Sequence, residues 1–324
     1  MRMTLSLALA GALGAAGAEA APIALTLGNN GSTLVRMNDL SNPAIKSGVP
    51  ITDVEGRPIA MSDIDWRPSD GRVYGYSNMT RTIYTIDTAT GVATAVTAMP
   101  GATNVDTVGL DFNNRIDAAR IVSTNEDNLV FFPENFEPAR PDQPEIARFT
   151  NLFYLDGDVN AGQNPEVFAN AYLNATIEAR GNADALGAVQ YALDAATDSL
   201  VMLNNNAGDL TTVGLVTFGG ERLDFTANGG FDVYSTFADG MFADMAYALL
   251  TTADGIALYS LVLDPVMGQI AAERLGFVGS EFGALRGLTV FDPGMVAPIP
   301  LPAAGWMLMA GLAGLGAMAR RRRG

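Results

Sequence analysis

Residues 64–96 read IDWRPSDGRVYGYSNMTRTIYTIDTATGVATAV, and this phrase limits the fold more than any other stretch of the chain. An apolar strand carrying one aspartate (Ile64, Asp65, Trp66) runs into a Pro-Ser-Asp-Gly turn. A second strand follows at Val73, Tyr74 and Tyr76, and a third at Ile83, Tyr84 and Ile86. Residues 87–91 make another tight turn before a fourth strand at 92–96. Short β-branched and aromatic runs divided by Gly, Asp and Asn turns read as antiparallel strands, so the phrase is a four-stranded meander.

The meander recurs. SDIDW at 62–66, VGLDF at 108–112, GGFDV at 229–233 and RGLTV at 286–290 share one opening pattern. The first three are each followed by a turn, a strand, and a further strand. A diverged unit lies between the second and third, with VFANAYLN at 167, GAVQYALD at 187, DSLVMLN at 198 and DLTTVGLV at 209. The last phrase has no chain after it to complete a sheet. The first strands, at 23–29 and 33–39, have no opening phrase before them. Joined, they make one unit, which is how a propeller avoids an open edge. The expectation is therefore an all-β fold over residues 21–293: a β-propeller of about five four-stranded blades, closed by pairing of the N- and C-terminal strands. An open solenoid or a sandwich is the alternative. Only residues 163–180 and 237–250 have spacing that suits a helical turn or two.

Chemistry is restricted by what is missing. The chain has no cysteine and no histidine. That removes thiol nucleophiles, thiolate metal sites and the usual general base of hydrolases. Lys46 is the only lysine and falls in a Ser/Pro/Gly-rich stretch that reads as a loop. The formal net charge is -16. Such a surface repels nucleic acid, since phosphate binding needs basic patches.

The two ends read as addresses. Residues 1–20 combine a short basic start, an apolar run and Ala18-Glu19-Ala20, a small-x-small cleavage pattern. The reading is a secretory signal peptide cut before Ala21. Residues 294–324 form a tail: a proline motif, an apolar run at 305–319 and Arg320 to Arg323. The run is near the short limit for crossing about 30 Å of hydrocarbon, and the arginines would stay cytoplasmic. A transmembrane helix that anchors the exported body is the expectation.

Ile299-Pro300-Leu301-Pro302-Ala303, followed by that short apolar run and terminal arginines, resembles the VPLPA type of PEP-CTERM sorting signal of Gram-negative bacteria. The resemblance implies an exosortase-type membrane enzyme as partner and delivery to the cell surface, with Pro300, Leu301, Pro302 and Ala303 as the motif. The body also resembles a family. GLDFNNRIDAARIVSTNEDNL at 109–129, DGDVNAGQNPEVFANAYLN at 156–174 and YALDAATDSLVMLNNNAGDLTTVG at 191–214 follow the order of motifs in domain-of-unknown-function family 4394, an exported bacterial family. Membership implies a propeller-like exported domain and no particular activity. A Pro- and Glu-rich insert at 131–148 departs from the family pattern.

Two constellations are candidates for a site. Asp65, Asp111 and Asp232 hold the same place in their repeats, with Thr289 in the fourth. If the opening strand lies nearest the axis, they ring a central channel and can hold a cation or a sugar. Alternatively they bind backbone N–H groups between blades, since a buried carboxylate needs partners. Asp156, Asp158 and Asn160 form a D-x-D-x-N run suited to calcium, although Ala161 and Val167 break the EF-hand rule; an Asx-rich turn is the other reading. Tyr74, Tyr76, Tyr84, Trp66 and Phe112 can stack on sugar or fill the core.

The functional expectation is an exported, non-catalytic binding or structural protein of the cell surface or matrix, whose partner is a glycan or a matrix protein. The alternative is an extracellular carbohydrate-active enzyme working through paired carboxylates.

Overall fold

The computed structural model describes residues 21–98, 107–133, 146–180 and 189–295. The predicted signal peptide and the sorting motif at Pro300, Leu301, Pro302 and Ala303 lie outside these residues, as does the apolar run of the tail. No helix among the described residues is long and apolar enough to cross a membrane.

The described chain is all-β apart from three short 3-10 turns, at Ile177–Ala179, Asn205–Ala207 and Pro293–Met295. β1 (Ile23–Gly28), β2 (Thr33–Met37) and β3 (Lys46–Pro50) open the chain. β4 (Thr52–Asp53) precedes a meander of β5 (Asp63–Arg67), β6 (Arg72–Ser77), β7 (Thr82–Ile86) and β8 (Val92–Ala98). β9 (Val108–Asn113), β10 (Ala118–Ser123), β11 (Asn128–Phe131) and β12 (Ile146–Arg148) form the next. After β13 (Phe153–Tyr154) come β14 (Val167–Tyr172), β15 (Gln190–Asp194), β16 (Ser199–Leu203) and β17 (Asp209–Phe218). β18 (Glu221–Arg222) leads to β19 (Gly229–Ala238), β20 (Met241–Thr252), β21 (Gly255–Leu261) and β22 (Gln269–Phe277), and β23 (Arg286–Phe291) ends the series.

The strand order is β23-β1-β2-β3 in the first sheet, and the antiparallel orders β5-β6-β7-β8 and β9-β10-β11-β12 in the next two. The last two meanders, β14–β17 and β19–β22, join into one larger sheet through parallel pairing of β17 with β22. The first sheet is completed from both ends of the chain: Ile23 faces Phe291, Ala24 faces Val290 and Leu25 faces Thr289.

The opening strand of each meander touches the opening strand of the next, in the order β23, β5, β9, β14, β19 and back to β23. The fold is therefore propeller-like. Because each sheet packs on a neighbour through both faces, its inner strands have no side turned to solvent; β1, β5, β9, β10 and β14 are buried at every position. The core divides into five apolar clusters that follow the same ring. Leu25, Trp66 and Phe291 meet between the first and second sheets; Tyr76, Leu110 and Phe112 meet between the second and third. Val122, Tyr154 and Val201 fill the next gap, and Phe168, Phe231 and Tyr259 the one after. Ala24, Leu249 and Val290 close the circle. The aromatics considered for sugar stacking are core: Tyr76 is 0 % exposed and Trp66, the most exposed of the five, 8 %.

Crowding near the centre selects glycine. A Cβ on Gly109 would stand 2.6 Å from Asn170 Oδ1 and 2.7 Å from Ala169 Cα. One on Gly230 would stand 2.5 Å from the backbone of Gly287 and Leu288. Real Cβ atoms do not tolerate such distances, so these positions accept no side chain without movement of a strand.

Two readings of the sequence are corrected here. Lys46 opens strand β3 instead of lying in a loop, and its ammonium is buried against the Val278 carbonyl and the Glu281 carboxylate. Residues 237–250 carry no helical turn; they form the β19–β20 hairpin, in which Phe237 pairs with Phe242. Cross-strand packing overrides the helix propensity of their Ala and Met residues.

Candidate functional site

Two places in the ring have the residues for a function: its axis and one open cleft. At the axis, the repeated aspartates come together. Carboxylate oxygens of Asp65, Asp111 and Asp232 lie within 4.8 Å of one another, and all three residues are buried. Their partners follow one rule. Asp65 Oδ2 accepts the Phe112 N–H at 2.8 Å, Asp111 Oδ1 accepts the Tyr172 N–H at 2.9 Å, and Asp232 Oδ2 accepts the Val290 N–H at 2.5 Å. The Thr289 hydroxyl accepts the Trp66 N–H at 3.0 Å and lies 3.0 Å from Asp65 Oδ1, to which it donates. Each side chain thus grips the backbone of the next opening strand, one residue past that strand's own equivalent position.

The rule places Ala171 at the fifth position, since Tyr172 follows it. An alanine cannot grip, and the Val233 N–H is taken instead by the carboxylate of Asp232. A second tier lies two residues earlier in the strands. There the equivalents of Asp63 in β9, β19 and β23 are Gly109, Gly230 and Gly287; Asp63 Oδ1 stands 2.2 Å from where a Gly287 Cβ would be, and Asp63 Oδ2 accepts the Leu110 N–H. Asp63 is a further buried axial carboxylate that the repeat comparison passed over, because its equivalents in the other opening phrases are glycines.

Electrostatics at the axis oppose ionisation. Burial pushes the Asp65 and Asp111 carboxyls well above the usual range, and the charges of the neighbouring aspartates add to it. Burial raises Asp63 as well, against hydrogen bonds from Ile64 and Leu110. Asp232 rises from 3.8 to about 6, through burial that its backbone bonds to Val290 and Val233 only partly offset. The cavity lined by the three aspartates, Thr289 and Trp66 measures about 10 Å³ at the centres of a water-sized sphere. That is room for one water or one bare ion, and none for a glycosidic bond. Each oxygen of Asp65 and Asp232 already accepts a protein hydrogen bond. A wider well of about 100 Å³ opens at the start of the opening strands, beside Ser62, Val108, Phe168, Gly229 and Arg286.

The aspartates of the D-x-D-x-N run are elsewhere. Asp158 Oδ1 accepts the Asn160 N–H and the Thr212 hydroxyl, and its Oδ2 accepts the Thr212 N–H at 2.7 Å. These bonds hold its carboxyl below the usual range although burial works the other way. Asn160 Nδ2 donates to Thr212 Oγ1, and Asp156 is exposed. Asp156, Asp158 and Asn160 do not join the axial carboxylates.

The open cleft was not foreseen. It measures about 860 Å³ and lies where the end of β2, the end of β14 and the outer faces of β20 to β22 meet. Its walls are Leu40, Leu173, Leu261, Leu263 and Leu275 with Met245, Tyr191 and Tyr247, and its acids are Asp39, Asp244 and Asp264. These residues come from six separate segments, so no local motif announces them.

Comparison with known proteins gives a family and remote structural likenesses. No curated protein matches the sequence. A chain of the nidogen/laminin complex is similar at 11% identity and a TM-score of 0.43, covering 83% of this chain and 98% of that one. A protein of unknown function from Bacteroides thetaiotaomicron is similar at 13% identity and 0.42, covering 85% and 65%. A catalytically inactive virginiamycin B lyase from Staphylococcus aureus, in complex with quinupristin, is similar at 11% and 0.35, covering 83% and 77%. The family model described as "Domain of unknown function (DUF4394)" matches residues 33–288, and the chain belongs to that family.

Proposed function

We propose that the protein is an exported five-bladed propeller, sorted to the cell envelope, that works by binding a small ligand in the cleft beside Tyr191 and Tyr247. The observation that carries this reading is the contrast between the two places. The axial carboxylates face inward on a cavity of about 10 Å³ and grip backbone, whereas the cleft offers about 860 Å³ of open, mostly apolar space. That volume is in the range of small-molecule sites. Export and sorting are supported by the leader-like residues 1–20 and by the Pro300–Ala303 motif with the arginines after it. An exosortase-type enzyme is the partner that such a tail requires.

A carbohydrate-active enzyme working through Asp65, Asp111 and Asp232 has no cleft at those residues. The experiment is a ligand-observed NMR screen of the full-length protein with amines, sugars and short peptides, beside hydrolysis assays on glycans. Binders that lose their signal in Ser260→Trp, which fills the cleft, are the expected result. Turnover of a glycan that disappears in Asp111→Asn would overturn the reading.

A further inference from the structure

The chemistry of the cleft is one-sided. Its charged lining residues are Asp39, Asp244 and Asp264, with no lysine or arginine among them. The bonds received by Asp39 and Asp244 all end on a single oxygen. Asp39 Oδ1 accepts the Ser41 N–H and hydroxyl, at 2.9 and 2.6 Å. Asp244 Oδ1 accepts the Asn174 N–H at 3.0 Å and the Ser235 hydroxyl. The second oxygen of each remains for a ligand, and Asp264 is exposed at the rim. Tyr191 and Tyr247 add two aromatic faces, half-buried in the same wall.

We infer that the cleft selects a small organic cation with an apolar body, of the aryl- or alkylammonium class. This rests on the cleft being the binding site, as proposed above. Three arguments lead there. An anion would meet three carboxylates on a chain of net charge -16 and no fixed cation among the lining residues. A neutral polar ligand such as a sugar could bond Asn38, Ser260 and the carboxylates but would gain nothing from their charge, and its remaining hydroxyls would lie against Leu, Met and Ala side chains. An ammonium gains from carboxylates at reduced dielectric and from the faces of aromatic rings. The two tyrosines stay neutral for this purpose: burial raises the Tyr191 hydroxyl, helped by the charges of Asp264 and Asp244, and burial raises that of Tyr247.

The test uses full-length protein, isothermal calorimetry and three probes of similar shape: benzyltrimethylammonium, its neutral analogue neopentylbenzene, and the anion phenylacetate. The inference predicts binding of the cation in preference to the other two, weakened by added salt. It also predicts a loss of about three- to tenfold in Asp264→Asn and in Tyr191→Leu, the size of one half-exposed charge or cation–π contact. Melting curves check that both variants are folded. Equal binding of cation and neutral analogue would overturn the charge selection while leaving the cleft a binding site. Failure of all three probes, with no hit for any class in the broader screen, would overturn the binding reading itself.

Discussion

Replacing Asp232 by asparagine is expected to improve stability relative to wild type as pH rises from mild acid to neutral. Asp232 is 4 % exposed, and its carboxyl is raised from 3.8 to about 6. A carboxyl raised on folding binds its proton more tightly in the folded state. Stability is therefore highest while the group is protonated in both states, and it falls as pH rises from 3.8 through about 6. The gap from 3.8 to about 6, at about 1.4 kcal/mol per pH unit, corresponds to roughly 3 kcal/mol lost by neutral pH. Of this, about 2 kcal/mol falls between about pH 4.5 and about pH 7.5. Asparagine has nearly the same shape and does not pay the ionisation cost, but its single oxygen accepts only one of the Val233 and Val290 N–H groups, a loss of about 1–3 kcal/mol that does not vary with pH. Urea unfolding of wild type and Asp232→Asn at those two pH values measures the difference. A variant behind wild type by about 1–3 kcal/mol at the acid value, and improved relative to it by about 2 kcal/mol at the neutral one, is expected. A variant that trails by the same margin at both would show that the axial carboxylates carry no ionisation penalty. Asp232→Ala is the companion: it takes the carboxylate acceptor from the Val233 and Val290 N–H groups, an expected cost of about 1–3 kcal/mol in mild acid, and because alanine also escapes ionisation this deficit should shrink by about 2 kcal/mol at the neutral value.

Two further outcomes follow from the same packing. Arg67 Nε and Nη2 hold Asp117 at 2.8 and 2.5 Å, both residues buried, and bonds from Arg67 and Ser69 outweigh burial to keep that carboxyl below the usual range. Arg67→Met is expected to cost about 3–5 kcal/mol in urea unfolding at neutral pH. The deficit should shrink below about pH 3.8, where Asp117 is protonated in the unfolded chain and the pair no longer contributes in full. Exhaustive EDTA treatment should leave the melting temperature in mild acid unchanged, because protons and backbone N–H groups hold the axial cluster there; a fall would make that cluster a metal-dependent hub.

The repeats made the architecture legible, and the reasons are local. Turn chemistry at Pro68 to Gly71 and at Asp87 to Gly91 punctuates short strands rich in β-branched and aromatic residues. The pairing of residues 23–25 with 289–291 was legible because an opening phrase without a sheet and a sheet without an opening phrase are complementary. The outer strands β3 and β12 were not legible. KSGVP and IAR are exposed or half-exposed and are too short and too poor in apolar residues to show a period. Their place is set by the neighbouring strand. The axial aspartates could be listed from the repeat, but not the direction of their grip, which depends on the rotation between sheets. Asp63 was missed because its equivalents are glycines and it packs against only one of them, Gly287. The cleft was invisible because Tyr191, Tyr247 and Asp39 are brought together only by closure of the ring.

That closure can be tested with a single cross-link. The chain has no cysteine, so Ala24→Cys with Val290→Cys introduces the only two thiols. The two residues are paired across β1 and β23 and belong to the same buried cluster. Cα atoms of antiparallel partners stand about 4.5–5.5 Å apart, within the reach of a disulfide. Mass spectrometry of the oxidised, folded monomer should find one intramolecular disulfide in nearly all molecules, with a higher melting temperature than the reduced form. Thiols that stay free in the folded protein, or that link only between molecules, would contradict a ring completed by its own two ends.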